Sequence, residues 1–117
     1  EIPEALLTPS VSLAMPAKAG RQYAKVSGDY NPIHLSQTMA RWFGFRHAIA
    51  HGMYSLMRVV SVVERQEGMQ AQQINARFVR PVFLPSVSGL AHDFIGAGCR
   101  FELSDEQGHL QLVGDIL

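Results

Sequence analysis

The pattern of apolar residues along this chain changes period once, near Gly68. Before it, apolar side chains recur at steps of three and four, at Met53, Leu56, Met57, Val60 and Val63. That spacing places them on one face of a helix, so the sequence predicts a helix of about five turns over residues 50–67. Beyond Gly68, apolar and polar residues alternate from Ile74 to Val79, and a period of two predicts a β-strand.

Shorter elements of both kinds surround this helix. Further strands are predicted at residues 86–95, around 99–103 and at 110–117, with a turn at 105–108. Short helices are predicted at residues 17–26 and 36–44, with Ser36 as the N-cap of the second. The order of these elements predicts an α+β fold, in which an antiparallel sheet of four or five strands wraps around one central helix.

The composition is that of one folded domain. The 117 residues are 47% hydrophobic and 17% charged, so we expect residues 1–117 to form a single domain. Residues 1–16 hold three of the six prolines, which predicts an irregular N-terminal arm with a short strand around 10–13. The chain opens on Glu1 rather than Met, which is consistent with a processed or partial product.

The charge balance narrows the classes of partner. Ten Lys and Arg residues face ten Asp and Glu residues, for a formal net charge of zero. Binding to nucleic acid or to a membrane surface needs a net basic field, so both partners are disfavoured. No apolar run reaches the length of about 18 residues that suggests a transmembrane helix. We therefore expect no nucleic-acid or membrane partner and a cytoplasmic location.

The cysteine and histidine spacing favours neither a disulfide nor a metal site. Cys99 is the single cysteine, and its alternating neighbours predict a buried structural thiol. His47 and His51 lie four residues apart, but no glutamate of a zinc-protease motif lies between them and no third ligand is apparent. We expect no metal and no cofactor.

Two titratable residues flank a turn in the segment before the long helix. Asp29 and His34 lie on either side of the Asn31-Pro32 pair, five residues apart. A carboxylate and an imidazole that converge on one point can hold a water molecule and share its proton. By spacing alone the signal is weak, because an Asp and a His on either side of a proline turn are more often a local turn with a surface histidine.

The start of the long helix offers a second candidate. His51, Gly52 and Met53 occupy its first turn, where backbone N–H groups lack helical partners and the helix dipole is positive. A glycine there allows a ligand to approach the backbone, which suits an oxygen that gains negative charge, such as that of a thioester becoming an enolate. An ordinary helix start remains the alternative.

Together these residues resemble a known family. The run SGDYNPIH, followed by GF-x(3)-IAHGM, is similar to the signature of the MaoC-like dehydratases, which include the (R)-specific, type-2 enoyl-CoA hydratases. The similarity covers residues 23–53 and continues more loosely through FVRPVFLPS. It implies a hot-dog fold, an antiparallel sheet around one central helix, which agrees with the fold predicted from periodicity.

The resemblance also implies roles for residues of this chain. Asp29 and His34 match the hydrating dyad, and Gly52 matches the glycine whose N–H binds the thioester oxygen. Asn31 matches the motif asparagine and is expected to brace the loop, while His51 and Met53 flank Gly52 in the expected substrate site. The substrate would be an acyl-CoA or acyl-carrier-protein thioester, and the protein a homodimer. The family often has a serine in the central helix where this chain has Val60, so neither Ser55 nor Ser61 is assigned that role.

Three functions are compatible with these features. The first is reversible addition of water to a trans-2-enoyl thioester, giving the (R)-3-hydroxyacyl product in fatty-acid metabolism. The second is hydrolysis of the thioester, since hot-dog folds also include thioesterases. The third is a non-catalytic acyl-binding or scaffolding protein, such as one half of a longer chain. The presence of Asp29, His34 and Gly52 together favours hydration.

Overall fold

The fold combines a main antiparallel sheet and a small second sheet with one long helix and two short helices. The computed structural model describes residues 2–117. In chain order the elements are β1 (Val11–Met15), α1 (Ala19–Ser27), α2 (Gln37–Trp42), β2 (Ala48–Ile49), α3 (Gly52–Glu67), β3 (Ile74–Phe78), β4 (Phe83–Leu84), β5 (Ser86–Ile95), β6 (Gly98–Ser104) and β7 (Leu110–Ile116). A single 3-10 turn, Pro32–His34, lies between α1 and α2. The predicted α+β class is confirmed.

The main sheet has five strands in the order β1-β5-β6-β7-β3, and every neighbouring pair is antiparallel. Strands β5, β6 and β7 form a meander because short turns join them. Strand β3 precedes β5 in the chain, but it pairs with β7 at the far edge of the sheet. Alternation predicts that a segment is a strand, whereas its neighbour depends on long-range packing.

The core lies between α3 and the sheet. Leu56, Val59 and Val63 of α3 belong to one buried cluster with sheet residues that include Phe101 and Leu103. The face of α3 that is buried differs from the predicted stripe, because Met53 and Met57 are 53% and 54% exposed. The prediction that these two methionines share the buried stripe was therefore wrong. Both belong to an outward face that the period of the sequence cannot distinguish from the inward one.

Cys99 of β6 is buried in the same cluster, as predicted. Burial raises the pKa of the Cys99 thiol, and the carboxylates of Glu67 and Asp93 raise it further. The neutral thiol is therefore the favoured form, which fits a structural residue better than a nucleophile.

Local sequence explains where the helices end. Gly28 follows α1 and Gly68 follows α3, and both adopt left-handed backbone angles, with φ of 80° and 64°. Glycine adopts these angles without strain, so each residue terminates its helix. Ser36 caps α2 as predicted, its hydroxyl accepting a hydrogen bond from the Met39 N–H at 3.3 Å.

The strand predicted within the N-terminal arm is present, one residue later and slightly longer than expected. Strand β1 begins at Val11 and pairs with β5, while residues 2–10 have no regular structure. The buried Glu102 carboxylate holds this arm, accepting hydrogen bonds from the N–H groups of Leu6 at 2.9 Å and Leu7 at 3.1 Å. Arg100 Nε donates to the same carboxylate at 2.7 Å.

Strands β2 and β4 form a small second sheet that the sequence did not predict. Each strand has two residues, too few to show a period. Gln37 of α2 joins them, since its amide nitrogen donates to Leu84 O at 2.8 Å and its amide oxygen accepts from Ala48 N at 2.8 Å.

Among residues 2–117, no helix has both the length and the apolar character needed to cross a membrane.

Candidate active site

The loop after α1 presents the Asp29 carboxylate through two successive turns. Asp29 Oδ1 accepts a hydrogen bond from the Asn31 N–H at 3.1 Å, and Asn31 Oδ1 accepts one from the Ile33 N–H at 3.2 Å. Asn31 thereby caps the 3-10 turn, with Pro32 at its first position. The Asn31 oxygen is used within the loop, which supports the predicted bracing role. Asp29 Oδ2 points toward two histidines.

His34 ends the 3-10 turn and has one ring nitrogen fixed. Its Nδ1 lies 2.7 Å from the Ile49 carbonyl oxygen. A carbonyl only accepts, so Nδ1 carries the hydrogen and the neutral ring has its lone pair on Nε2. That Nε2 lies 3.8 Å from Asp29 Oδ2, too far for a direct hydrogen bond and suited to a bridging water. The structure therefore brings the two predicted residues together in the arrangement that proton exchange needs.

Exposure differs between the two members of the pair. The Asp29 side chain is 52% exposed, whereas that of His34 is 11% exposed. Even with a protonated imidazole, a pair this open to water would add little to stability, so stability does not explain the arrangement. The carboxylate is open to an incoming ligand while the imidazole is held in place.

His51 forms a buried wall behind the pair. Its Nε2 lies 2.9 Å from the Asp29 carbonyl oxygen, so Nε2 donates the hydrogen and Nδ1, which has no partner among the described residues, keeps the lone pair. The His51 ring stacks on that of His34 with centroids 3.9 Å apart, and the Tyr23 ring meets its edge at 4.9 Å. These contacts support the dyad directly, and binding of substrate by His51 stays a prediction.

Gly52 is the first residue of α3, so its N–H has no partner within the helix. A β-carbon at this position would lie 3.0 Å from the Phe78 ring, which makes Gly52 a point of close approach between α3 and β3. A cavity of about 180 Å³ joins Gly52 to the dyad, lined by Tyr23, Ser27, Asp29, His34, His51, Gly52 and Met53.

Tyr23 and Ser27 are site residues that the spacing of titratable groups did not reveal. Ser27 Oγ accepts a hydrogen bond from the Asp29 N–H at 3.1 Å, so it fixes the start of the loop. Ser27 belongs to the motif segment, which was the available signal. Tyr23 lies on α1, and its contact with His51 depends on how that helix packs.

Two groups of side chains have atoms that a metal ion could use. Asp29, His34 and His51 each offer one ligand atom, and these atoms lie within 4.8 Å of one another. His51 Nε2 is already engaged as a donor to Asp29 O, so a metal would have to replace that bond. His47, which the sequence analysis did not assign to a metal site, lies outside this group and contacts the Phe83 ring edge at 5.9 Å.

The second group is Glu67, His92 and Cys99, at the other end of α3. Both ring nitrogens of His92 have hydrogen-bond partners, Glu67 Oε2 at 2.7 Å and Gln66 Oε1 at 2.8 Å. Hydrogen bonds from His92 of β5 to Glu67 and Gln66 therefore explain the first two residues of this group as a link between the sheet and the end of α3. Cys99 adds a thiol that favours its protonated form, which is not the form that binds a metal.

Fold and site together define a hot-dog protein with a carboxylate–imidazole pair beside the N-terminus of its central helix. Comparison with known proteins agrees: residues 3–96 match the family model described as MaoC like domain. The chain belongs to the MaoC-like family, and the family predicted from the motif is confirmed.

Known relatives extend this assignment. The chain is 44% identical over 75 residues to 3-hydroxyacyl-thioester dehydratase X of Mycobacterium tuberculosis, covering 64% of this chain and 26% of that protein. It is 32% identical to the crystal structure of HtdX of M. tuberculosis, with a TM-score of 0.80, covering 92% of this chain and 46% of that chain. The R-hydratase PhaJ1 of Pseudomonas aeruginosa shares the fold, with a TM-score of 0.77, 22% identity and coverage of 97% and 79%. The chain thus spans about a quarter of the curated relative's length.

Proposed function

We propose that this protein adds water reversibly to trans-2-enoyl thioesters and gives (R)-3-hydroxyacyl thioesters. The observation that carries the proposal is the 3.8 Å gap between His34 Nε2 and Asp29 Oδ2, which opens into the cavity that also reaches Gly52. Names of relatives support the thioester substrate, since one is a 3-hydroxyacyl-thioester dehydratase.

In the hydration direction, a water molecule occupies the gap between His34 and Asp29. His34 Nε2 takes a proton from this water as its oxygen bonds to C3 of the substrate, and Asp29 Oδ2 accepts a hydrogen bond that orients it. The π electrons of the double bond move toward the thioester carbonyl and form an enolate. The dyad then returns a proton to C2, on the same face, so one water is added in total. Dehydration is the reverse sequence.

The enolate oxygen needs a donor that does not have to reorganise during the reaction. The Gly52 N–H is free of helical partners and lies at the positive end of the α3 dipole. A preorganised donor of this kind stabilises the charge that develops in the transition state. Met53 borders the same cavity and is proposed to contact the substrate beside Gly52.

We also propose that the protein is a homodimer. Strand β3 is an edge of the main sheet, and the exposed apolar residues Ile74 and Phe78 lie on it. Unpaired strand edges favour pairing with another chain. Light scattering is expected to give twice the chain mass of 12.9 kDa, and a mass equal to one chain would contradict the dimer. The cytoplasmic location stays a prediction.

Crotonyl-CoA separates hydration from its alternatives in one assay. The ultraviolet absorbance of the conjugated enoyl thioester should fall without release of free thiol, and chiral chromatography should identify the (R)-3-hydroxy product. Release of free thiol would instead indicate a thioesterase. An absorbance that stays constant, together with saturable binding of the thioester, would indicate an acyl-binding scaffold.

A further inference from the structure

Gly52 borders two cavities, and the mechanism above uses one of them. The second has a volume of about 230 Å³ and lies between the start of α3 and the segments around β3 and β7. Its walls are mostly apolar and include Ala50, Phe78, Val79 and Leu112. Ser55 also lines this cavity. A thioester whose carbonyl lies at Gly52 would therefore face both spaces.

Ser55 lies one helical turn beyond Gly52, on the same side of α3. Side chains of a helix lean toward its N-terminus, so the Ser55 side chain covers the turn that begins at Gly52. Ser55 is 3% exposed, and its hydroxyl has no hydrogen-bond partner among the described residues. A serine within a helix usually donates to the carbonyl four residues earlier, but here His51 O receives the Ser55 N–H alone.

The other polar side chains of the cavity are already engaged. Gln111 Oε1 accepts a hydrogen bond from Ser88 Oγ at 2.8 Å, and Arg80 Nη1 donates to Leu110 O at 2.9 Å. The Ser55 hydroxyl differs from both because it has no hydrogen-bond partner among the described residues. A buried polar group without a partner destabilises the folded state, so its presence beside a cavity points to a ligand that satisfies it.

We propose, on the basis of the proposed function, that Ser55 Oγ is a second donor to the thioester carbonyl oxygen. The Gly52 N–H and the Ser55 O–H would approach that oxygen from adjacent turns of α3. The dyad is on the other side of Gly52, so Ser55 moves no proton and acts by binding the developing negative charge. Because that charge grows in the transition state, Ser55 contributes more to kcat than to ground-state binding.

Ser55→Ala tests this role, because it removes the hydroxyl and little else. The variant should lose on the order of 10²-fold in kcat with crotonyl-CoA, with KM changed much less. The dissociation constant of the saturated analogue butyryl-CoA should stay close to that of wild type. The melting temperature should be unchanged or higher, since an unsatisfied buried hydroxyl is removed. Ser55→Cys, with a weak donor of similar size, should lie between alanine and serine in kcat.

Ser61→Ala is the matched control, because Ser61 is an exposed serine of the same helix. It should leave kcat unchanged. If Ser55→Ala turns over like wild type while Asp29→Asn is inactive, the role of Ser55 is refuted and the proposed function stands. If wild-type protein does not hydrate crotonyl-CoA, or Asp29→Asn is fully active, the proposed function itself fails. A Ser55→Ala variant that loses kcat only in step with its melting temperature would show a structural role and overturn the inference.

Discussion

Gly20 of α1 packs against the main-chain carbonyl of His34 so closely that a β-carbon at position 20 would overlap the carbonyl oxygen. The buried face of α1 consists of the small residues Ala19, Gly20 and Ala24. Arg21 Nε reinforces this contact by donating to Leu35 O at 3.4 Å. Helix α1 therefore sets the position of the 3-10 turn, and through it the position of the His34 ring.

Replacing this glycine should disturb the dyad from outside the cavity. Gly20→Ala would normally stabilise a helix by about 1 kcal/mol. Here the added methyl must displace the His34 backbone, and overpacking of this kind costs about 1–3 kcal/mol. We expect a lower melting temperature and a loss of kcat on the order of 10²-fold, because small displacements of a catalytic group are costly.

Gln22→Ala is the control, since Gln22 is an exposed residue of the same helix. Gln22→Ala should change neither the melting temperature nor kcat appreciably. Thermal unfolding and crotonyl-CoA turnover measure the two effects on the same samples. A Gly20→Ala protein with wild-type activity would show that the His34 position does not depend on α1 packing.

The dyad itself gives the second prediction. Asp29→Asn and His34→Gln each remove proton exchange with little change of volume, so each should reduce kcat by about 10²–10⁴-fold while the fold is kept. The double variant should be hardly worse than either single variant, because the two groups act on one water. Single variants that keep more than about a third of wild-type kcat would contradict the assignment.

His109 provides a matched control for the histidine substitution. His109 Nδ1 lies 3.4 Å from Asp105 Oδ2, so it also pairs with a carboxylate, but in an exposed turn outside the dyad cavity. His109→Gln should leave kcat unchanged. A comparable loss of kcat in His109→Gln would mean that the assay responds to non-specific effects of replacing a histidine.

The elements that depend on residues close together in the sequence were predictable, whereas contacts between distant segments were not. The α3 helix and strands β5 to β7 follow from local period, and the observed bounds of β5 match the predicted 86–95. The pairing of β3 with β7 was not predictable, because alternation gives the faces of a strand and not its neighbour. The outward direction of Met53 has the same cause: a helical stripe shows that a face is apolar and not what covers it.

The candidate site likewise contains residues that were predicted and contacts that were not. Asp29, His34 and Gly52 came from motif and spacing, and the structure brings all three to one cavity. The stacking of His51 on His34 and the packing of Gly20 could not be read from spacing, because both depend on contacts between segments distant in sequence. Side chains that support a dyad carry no local pattern of their own.

The backbone donor at Gly52 gives the third prediction. Gly52→Pro deletes the N–H, and proline fits the first position of a helix. His51 already has φ of −61° and ψ of 137°, the extended geometry that a following proline requires. We expect a folded protein, by circular dichroism, whose kcat falls by about 10²-fold or more.

Gly52→Ala keeps the donor and tests crowding separately. Its β-carbon would lie 3.0 Å from the Phe78 ring, a side chain that would have to move by only a few tenths of an ångström. The loss should therefore be smaller than for proline, and adding Phe78→Leu should restore part of it. If folded Gly52→Pro turns over crotonyl-CoA like wild type, the thioester oxygen is bound elsewhere.

The buried thiol of Cys99 gives a prediction about pH. Burial and the nearby carboxylates of Glu67 and Asp93 raise the pKa of this thiol in the folded state. An unfolded chain has a cysteine pKa of about 8.5, so on raising the pH the unfolded state loses its proton first. The unfolded state is then stabilised relative to the folded one. The contribution of the thiol to folding is complete below about pH 8.5 and is lost as the pH rises through the folded-state pKa.

Cys99→Ala isolates this contribution, because the variant has no thiol to ionise while its other titrating groups are unchanged. At about pH 7 the wild type should be more stable, since truncation leaves a small cavity in the core. Between about pH 7 and about pH 10, the wild type should lose up to about 2 kcal/mol of unfolding free energy relative to Cys99→Ala. Urea unfolding at both pH values, with reductant present, measures it. A difference that does not change with pH would mean that the thiol ionises equally in both states and that its burial has no effect on its titration.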